Sequence, residues 1–166
     1  SMALSRKIIF MAILAGAAII LISRFSGLLS FPIFNDEAIY IQYSQLMAED
    51  FGKFKFISID NVFHDWKPPL QYWLGAIAVN WFNNPLLGTR LLSAFFWLFG
   101  AVGIYFLAAK LWARKEGWLA VLFYALNPSV FFYGDQFIAE VYVWTAAVWL
   151  YVCLAGLMKR SATDWR

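Results

Sequence analysis

The sequence predicts an all-α fold: a polytopic transmembrane bundle of about four spanning helices, with amphipathic juxtamembrane helices in the first outer loop. Of its 166 residues, 63% are hydrophobic, 20% are aromatic and only 14% are charged. So few charged side chains cannot cover the surface of a soluble domain of this length. The formal net charge of +3 does not indicate nucleic acid, because the basic residues form short clusters at the ends of apolar segments.

Four apolar segments predict the spanning helices, and each approaches the ~20 residues that cross a bilayer. The first follows Arg6 and Lys7 and has no small-residue cleavage site after it. It is therefore expected to be an uncleaved helix with a cytoplasmic N-terminus. The predicted spans are residues 8–25, 89–110, 117–134 and 141–158.

A further apolar segment, residues 68–84, is short and opens with two prolines. If it spanned the membrane, the basic clusters at residues 110–115 and 159–160 would both fall outside, against the positive-inside rule. We therefore expect it to lie on the outer face or to dip into it. Residues 35–84 then form one long outer loop and residues 134–140 a second, so that acidic residues of both loops lie on one side of the membrane.

The outer loop begins with a predicted amphipathic helix over residues 36–50. Its apolar side chains recur at helical spacing on one face, and Gly52 is expected to end it. Such a helix is typical of the membrane interface. The apolar face consists of Ile39, Tyr40, Tyr43, Leu46 and Met47.

The stretch FNDEAIYIQY opens this helix with Asn35, Asp36 and Glu37. One interpretation is purely structural, because Asn35 can cap the first turn and acids there are favoured by the helix dipole. The functional interpretation is that a carboxylate at the mouth of a membrane bundle is a general base or a ligand for a divalent cation. The residue types alone leave both open.

Cationic side chains follow in the same loop and at the start of the next span. The stretch HDWKPPLQYWL places His64 and Lys67 before a helix that starts at a rigid Pro-Pro step. Lys67 lies where an anionic headgroup could meet it, whereas His64 alone is more typical of an ordinary loop residue. Arg90, at the outer end of a span, either extends to the headgroups or binds an anion.

The order of these motifs resembles a known family. An acidic pair after the first helix is followed by KPPLQYWL, then GTRLLSAFFWLFGAVGIYFLAAKLW, then NPSVFFYGDQFIAEVYV. This order is similar to the N-terminal part of membrane glycosyltransferases of the GT-C fold, in the group that includes protein O-mannosyltransferases and the aminoarabinose transferase of lipid A. The resemblance covers about residues 35–158. On this basis residues 1–166 are expected to be the N-terminal part of a GT-C transmembrane domain, a fragment that folds but is inactive alone.

The resemblance implies a reaction and its residues. The reaction is sugar transfer from a polyprenyl-phosphate donor to a lipid or protein acceptor. The family's first essential acid falls on Asp36, with Glu37 beside it, and the second, counted from Pro128, falls on Glu140, where many relatives have Asp. Asp135 stands where many relatives have Arg, so the local charge is reversed. Asp135 and Tyr40 are further site candidates.

The chemistry requires these residue types. An acceptor hydroxyl is a weak nucleophile, so Asp36 is the candidate base, and the departing phosphate needs a cation, for which Lys67 and Arg90 are candidates with His64 third. The cofactor is undetermined; a divalent cation such as Mg²⁺ or Mn²⁺ held by Asp36 and Glu140 is compatible with their hard oxygen ligands.

The expected location is the inner, or plasma, membrane of a prokaryotic cell, with the site on the outer face. The expected partners are the lipid-linked sugar, the acceptor and membrane lipids, but not nucleic acid. Two other classes stay open. A transporter or channel subunit would use acids at membrane depth as an ion path, and a non-enzymatic scaffold would show no affinity for a lipid phosphate.

Overall fold

The computed structural model describes residues 26–33, 35–57, 67 and 69–164, together with five single helical positions in the first apolar segment. The side chains of Asn35 and of residues 159–164 are not included. The predicted span over residues 8–25 therefore lies outside the described residues as a continuous element. In the described part all regular elements are helical: α1 (Asn35–Glu49), α2 (Phe51–Phe54), α3 (Leu70–Trp81), α4 (Pro85–Leu111), α5 (Arg114–Leu126), α6 (Pro128–Tyr133) and α7 (Ala139–Asp164).

Two helices of the described part, α4 and Ala139–Met158 of α7, are long and apolar enough to cross a membrane. Their most apolar windows are only 33% and 17% buried, whereas the core helix of a soluble protein would be mostly buried. The α4 surface left uncovered carries Phe95, Val102 and Phe106, which are 60%, 46% and 45% exposed. Such a continuous apolar surface is suited to lipid. The expected number of about four spans is not confirmed.

The α4 helix starts sharply because its first residues satisfy the free backbone groups of a helix end. The Asn84 side chain accepts a hydrogen bond from the Leu87 backbone N–H, and Pro85 occupies the first turn, where a missing N–H costs nothing. From there α4 packs against both α5 and α7.

Helices α4 and α7 run side by side in the same direction. Three side-chain hydrogen bonds, taken in order along both helices, establish this direction: Ser93 with Tyr142, Thr145 with the Phe96 carbonyl, and Trp149 with the Phe99 carbonyl. Because α4 and α7 are parallel, the chain between them must run back from the end of α4 to the level at which α7 begins. Helices α5 and α6 form this returning segment.

The third predicted span, residues 117–134, is not one helix. It is divided at Asn127, whose backbone is extended (φ −61°, ψ 123°), into α5 and the six-residue α6. The cause is Pro128, which lacks an N–H for the helix ladder and forces the preceding residue out of the helical region. The Asn127 side chain then caps α6 by accepting from the Ser129 and Val130 N–H groups.

The α1 helix packs against α3, and α3 packs against α4. The predicted apolar face of α1 largely meets this partner: Tyr40, Tyr43 and Met47 are no more than 2% exposed, although Ile39 is 37% exposed. The helix ends at Glu49 and not at Gly52, because the Asp50 side chain caps a new turn by accepting from the Lys53 N–H.

The α3 helix has only 12 residues, or about 18 Å, which is less than the ~30 Å of a hydrocarbon core. One of its faces is buried, whereas Leu70, Ile77 and Trp81 are 61%, 51% and 81% exposed. Its short length and its one exposed apolar face are more typical of a helix that lies at a membrane surface than of one that crosses the membrane.

We predict that Gly75→Ala destabilises the packing of α1 on α3. A Cβ at Gly75 would collide with the Ser44 side chain and come within 2.5 Å of the Phe137 ring. Overpacking of this kind costs about 1–3 kcal/mol, so the melting temperature of the purified protein should fall. The control is Gly52→Ala, where the nearest atom, an Asp50 oxygen, is at an ordinary 3.4 Å. Equal melting temperatures of the two variants would contradict the close approach.

Candidate functional site

Glu37 and Arg90 form a buried ion pair, although 53 residues separate them. The Arg90 Nε donates to Glu37 Oε1 at 2.8 Å, and Nη2 donates to Oε2 at 2.7 Å. Glu37 is 0% exposed and Arg90 is 1% exposed. The two parallel bonds match the planar guanidinium to the planar carboxylate, the arrangement that stabilises this pair best.

The remaining Arg90 donors are engaged as well. Nη1 donates to the carbonyls of Leu28 and Phe31, and Nη2 donates to the carbonyl of Pro32. A guanidinium has five N–H groups, and these contacts together with the Glu37 bonds use all of them. Arg90 therefore does not reach the headgroups, and a phosphate could bind it only by displacing these partners.

Glu37 also fixes the loop between α6 and α7. Its Oε1 accepts the Phe137 backbone N–H at 3.0 Å, and the Gln71 amide donates to the Phe137 carbonyl at 3.2 Å. Phe137 itself is 0% exposed. Side chains of α1 and α3 thus bind the backbone N–H and the carbonyl of Phe137, and together they hold the loop between α6 and α7 in place.

Two of the predicted acids, Asp36 and Glu140, are exposed. Asp36 precedes Glu37 in the first turn of α1, and Glu140 lies in the first turn of α7, three residues after Phe137. Because Glu37 contacts Phe137 directly, the first turn of α1 and the loop that leads into Glu140 lie against each other. Asp36 and Glu37 are neighbours in the sequence, but the Asp36 side chain is exposed whereas the Glu37 side chain is fully buried.

An apolar groove of about 410 Å³ lies between α3, α4 and α7, within the usual size range of ligand sites. Its lining runs from Ala139 to Trp149 along α7, which is about 15 Å at the helical rise per residue. The length is about half that of a hydrocarbon core, or one leaflet. The apolar walls include Leu70, Leu74, Phe96, Phe99, Val143 and Ala146.

The polar side chains on the α7 wall do not make the groove polar. Tyr142, Thr145 and Trp149 line it, but each forms a hydrogen bond to α4, at 3.1, 2.9 and 3.0 Å respectively. Gln71 donates to the Phe137 carbonyl. Lys67 is the one charged side chain among the described residues that line the groove. The groove therefore combines a hydrocarbon-like wall with a single cation.

The Lys67 ammonium lies 4.3 Å from the centre of the Tyr40 ring, a cation–π contact. Tyr40 follows Asp36 by four residues in α1, and side chains at this spacing are neighbours on one helix face, with Cβ atoms about 5–6 Å apart. The groove cation and the exposed carboxylate thus both lie beside the same tyrosine.

Other candidates have different surroundings. Asp135 is 5% exposed and makes contacts within the protein, and His64 lies outside the described residues. Where the chain is described, no three His, Cys, Asp or Glu side chains come together. A divalent cation held by Asp36 and Glu140 stays a prediction.

Several contacts have little or no signal in the sequence. Gln71 stands out as a polar residue that interrupts an apolar segment, and it clamps the loop. No local pattern indicates that Tyr142 faces Ser93, or that a groove opens between α3 and α7. These features depend on which helices become neighbours.

We predict that Glu37→Gln destabilises the protein and that Asp36→Asn does not. A glutamine in place of Glu37 would keep the size of the side chain but leave the Arg90 charge buried without its counter-ion, which costs about 3–5 kcal/mol. Asp36 is exposed, so its replacement should stay within about 0.5 kcal/mol. Thermal unfolding of the purified variants measures both, and equal melting temperatures for the two would argue against the central role of the pair.

No protein-family model, curated protein or solved structure matches this chain. The site has two parts. The first is a saturated buried ion pair, which joins α1, α4 and the loop before α7. The second is an apolar groove lined by Lys67, whose ammonium lies on the ring of Tyr40, four residues after the exposed Asp36.

Proposed function

We propose that this chain is the transmembrane module of a glycosyltransferase of the GT-C type. It transfers a sugar from a polyprenyl-phosphate donor to a lipid or protein acceptor on the outer face of a prokaryotic plasma membrane. The observation that carries this proposal is the apolar groove that Lys67 lines as its one charged residue in the described part of the chain. The membrane location is supported by the two long apolar helices with exposed apolar surface.

The groove supports the donor half of the reaction. A polyprenyl phosphate has a long apolar chain and an anionic headgroup, which are the two properties that the groove walls and Lys67 complement. A flexible lysine ammonium is a compact cation suited to a phosphate oxygen. Arg90 is not included in this assignment, because its donors are bound to Glu37 and to backbone carbonyls.

Asp36 supports the acceptor half. Its carboxylate takes the proton of the acceptor hydroxyl while the oxygen forms a bond to the anomeric carbon of the sugar. The bond between that carbon and the phosphate oxygen breaks, and its electron pair leaves with the phosphate. The growing negative charge on the phosphate is stabilised by the Lys67 ammonium.

Glu140 supplies a second exposed carboxylate beside the groove. It directly follows Ala139, which lines the groove, and it is exposed in the first turn of α7. A carboxylate accepts hydrogen bonds from neighbouring hydroxyl groups. We assign it to binding of the sugar or the acceptor.

The donor assignment predicts that Lys67→Met weakens binding of farnesyl phosphate by about 10- to 100-fold. This corresponds to loss of a charged hydrogen bond of roughly 1.5–3 kcal/mol. Native mass spectrometry of the purified chain with graded ligand concentrations measures the change. The matched control is Lys55→Met, which removes an exposed lysine that lies over the Phe56 ring. A similar loss in both variants would indicate non-specific charge attraction.

The base assignment predicts that Asp36→Asn abolishes sugar transfer without lowering stability. Asn keeps the size of Asp but cannot take the acceptor proton. The measurement is a transfer assay with a polyprenyl-phosphate sugar, in an enzyme that contains this chain, together with a melting curve. Full activity of the Asn variant would return Asp36 to the role of an acid in a helix first turn.

A further inference from the structure

The contact between Lys67 and Tyr40 is made by a buried and tightly packed ring. Tyr40 is 2% exposed. The centre of its ring lies 5.5 Å from the centre of the Tyr72 ring, and Tyr72 is 0% exposed. Tyr43, also on α1, meets the same Tyr72 ring edge-on, with the ring centres 5.4 Å apart. The ring face that Lys67 meets is therefore fixed by the α1–α3 interface.

We propose that Tyr40 is a positioning residue for an anionic lipid headgroup, and that its ring holds the ammonium of Lys67, which lines the groove. This inference rests on the proposed function of the groove as a site for a lipid phosphate. Tyr40 does not touch the ligand in this scheme. It acts through Lys67.

An aromatic ring suits this task for two physical reasons. A lysine side chain has a flexible four-carbon stem, and a fixed resting place for its ammonium reduces the ordering that ligand binding must impose. The ring also attracts the cation through its quadrupole, and so adds no negative charge beside the bound phosphate.

The experiment compares two ligands that share one chain, farnesyl phosphate and farnesol. Binding of each to the purified full chain is measured by native mass spectrometry. We expect Tyr40→Leu to bind farnesyl phosphate about threefold to tenfold more weakly, as loss of a partly desolvated cation–π contact implies. Farnesol binding should not change, because the groove walls remain.

Two further variants separate the effect on Lys67 from damage to packing. Tyr40→Phe keeps the ring and should bind farnesyl phosphate as the parent does. Tyr43→Leu removes an equally buried ring (2% exposed) from the same Tyr72 contact, and it should leave the preference for the phosphate intact. If Tyr40→Leu does not fold, pentafluorophenylalanine at position 40 keeps the shape and reverses the quadrupole, and it should show the same selective loss.

The outcomes distinguish the two levels of the proposal. If the parent chain binds farnesyl phosphate no better than farnesol, the proposed function fails and the positioning role fails with it. If the parent prefers the phosphate and Lys67→Met removes that preference, but Tyr40→Leu keeps it, only the positioning role is overturned. Equal loss of both ligands in Tyr40→Leu, or a Tyr40→Phe variant as weak as Tyr40→Leu, would also overturn it.

Discussion

The buried ion pair between Glu37 and Arg90 is the interaction on which the packing of α1, α4 and the loop before α7 depends. Two opposite charges are removed from water, and they are tolerated because each is fully surrounded by partners. Through this pair α4 holds the connection at residues 28–32, the start of α1 and the loop before α7. Removal of either partner would leave an uncompensated charge at the junction of all these segments.

The charged residues around this junction have two kinds of environment. Glu37 and Arg90 are buried, and their hydrogen bonds hold the backbone near residues 28–32 and at Phe137. Asp36 remains exposed one turn from the tyrosine on which Lys67 lies. The saturated ion pair therefore holds the first turn of α1 in place, and the adjacent Asp36 carboxylate stays in contact with solvent.

Local physics explains which sequence predictions hold. The α1 helix and the apolar spans corresponding to α4 and α7 follow from periodicity and hydrophobic length. The predicted span over residues 117–134 is broken because the single Pro128 outweighs an apolar run. Gly52 does not end a helix because the Asp50 cap supports a further turn. In both cases a short-range interaction of one residue with its neighbours sets where the helix ends.

The sequence by itself determined that the chain is helical and apolar, with acidic residues at helix starts and a cation before a short helix, because composition and periodicity are properties of neighbouring residues. Only the tertiary structure decided that Glu37 pairs with Arg90 while Asp36 does not, and that Lys67 lines an apolar groove. Asp36 and Glu37 are adjacent carboxylates that no local pattern tells apart. Their difference arises from the direction each faces once α1 packs against α3 and the loop at Phe137, and that packing joins residues up to 100 positions apart.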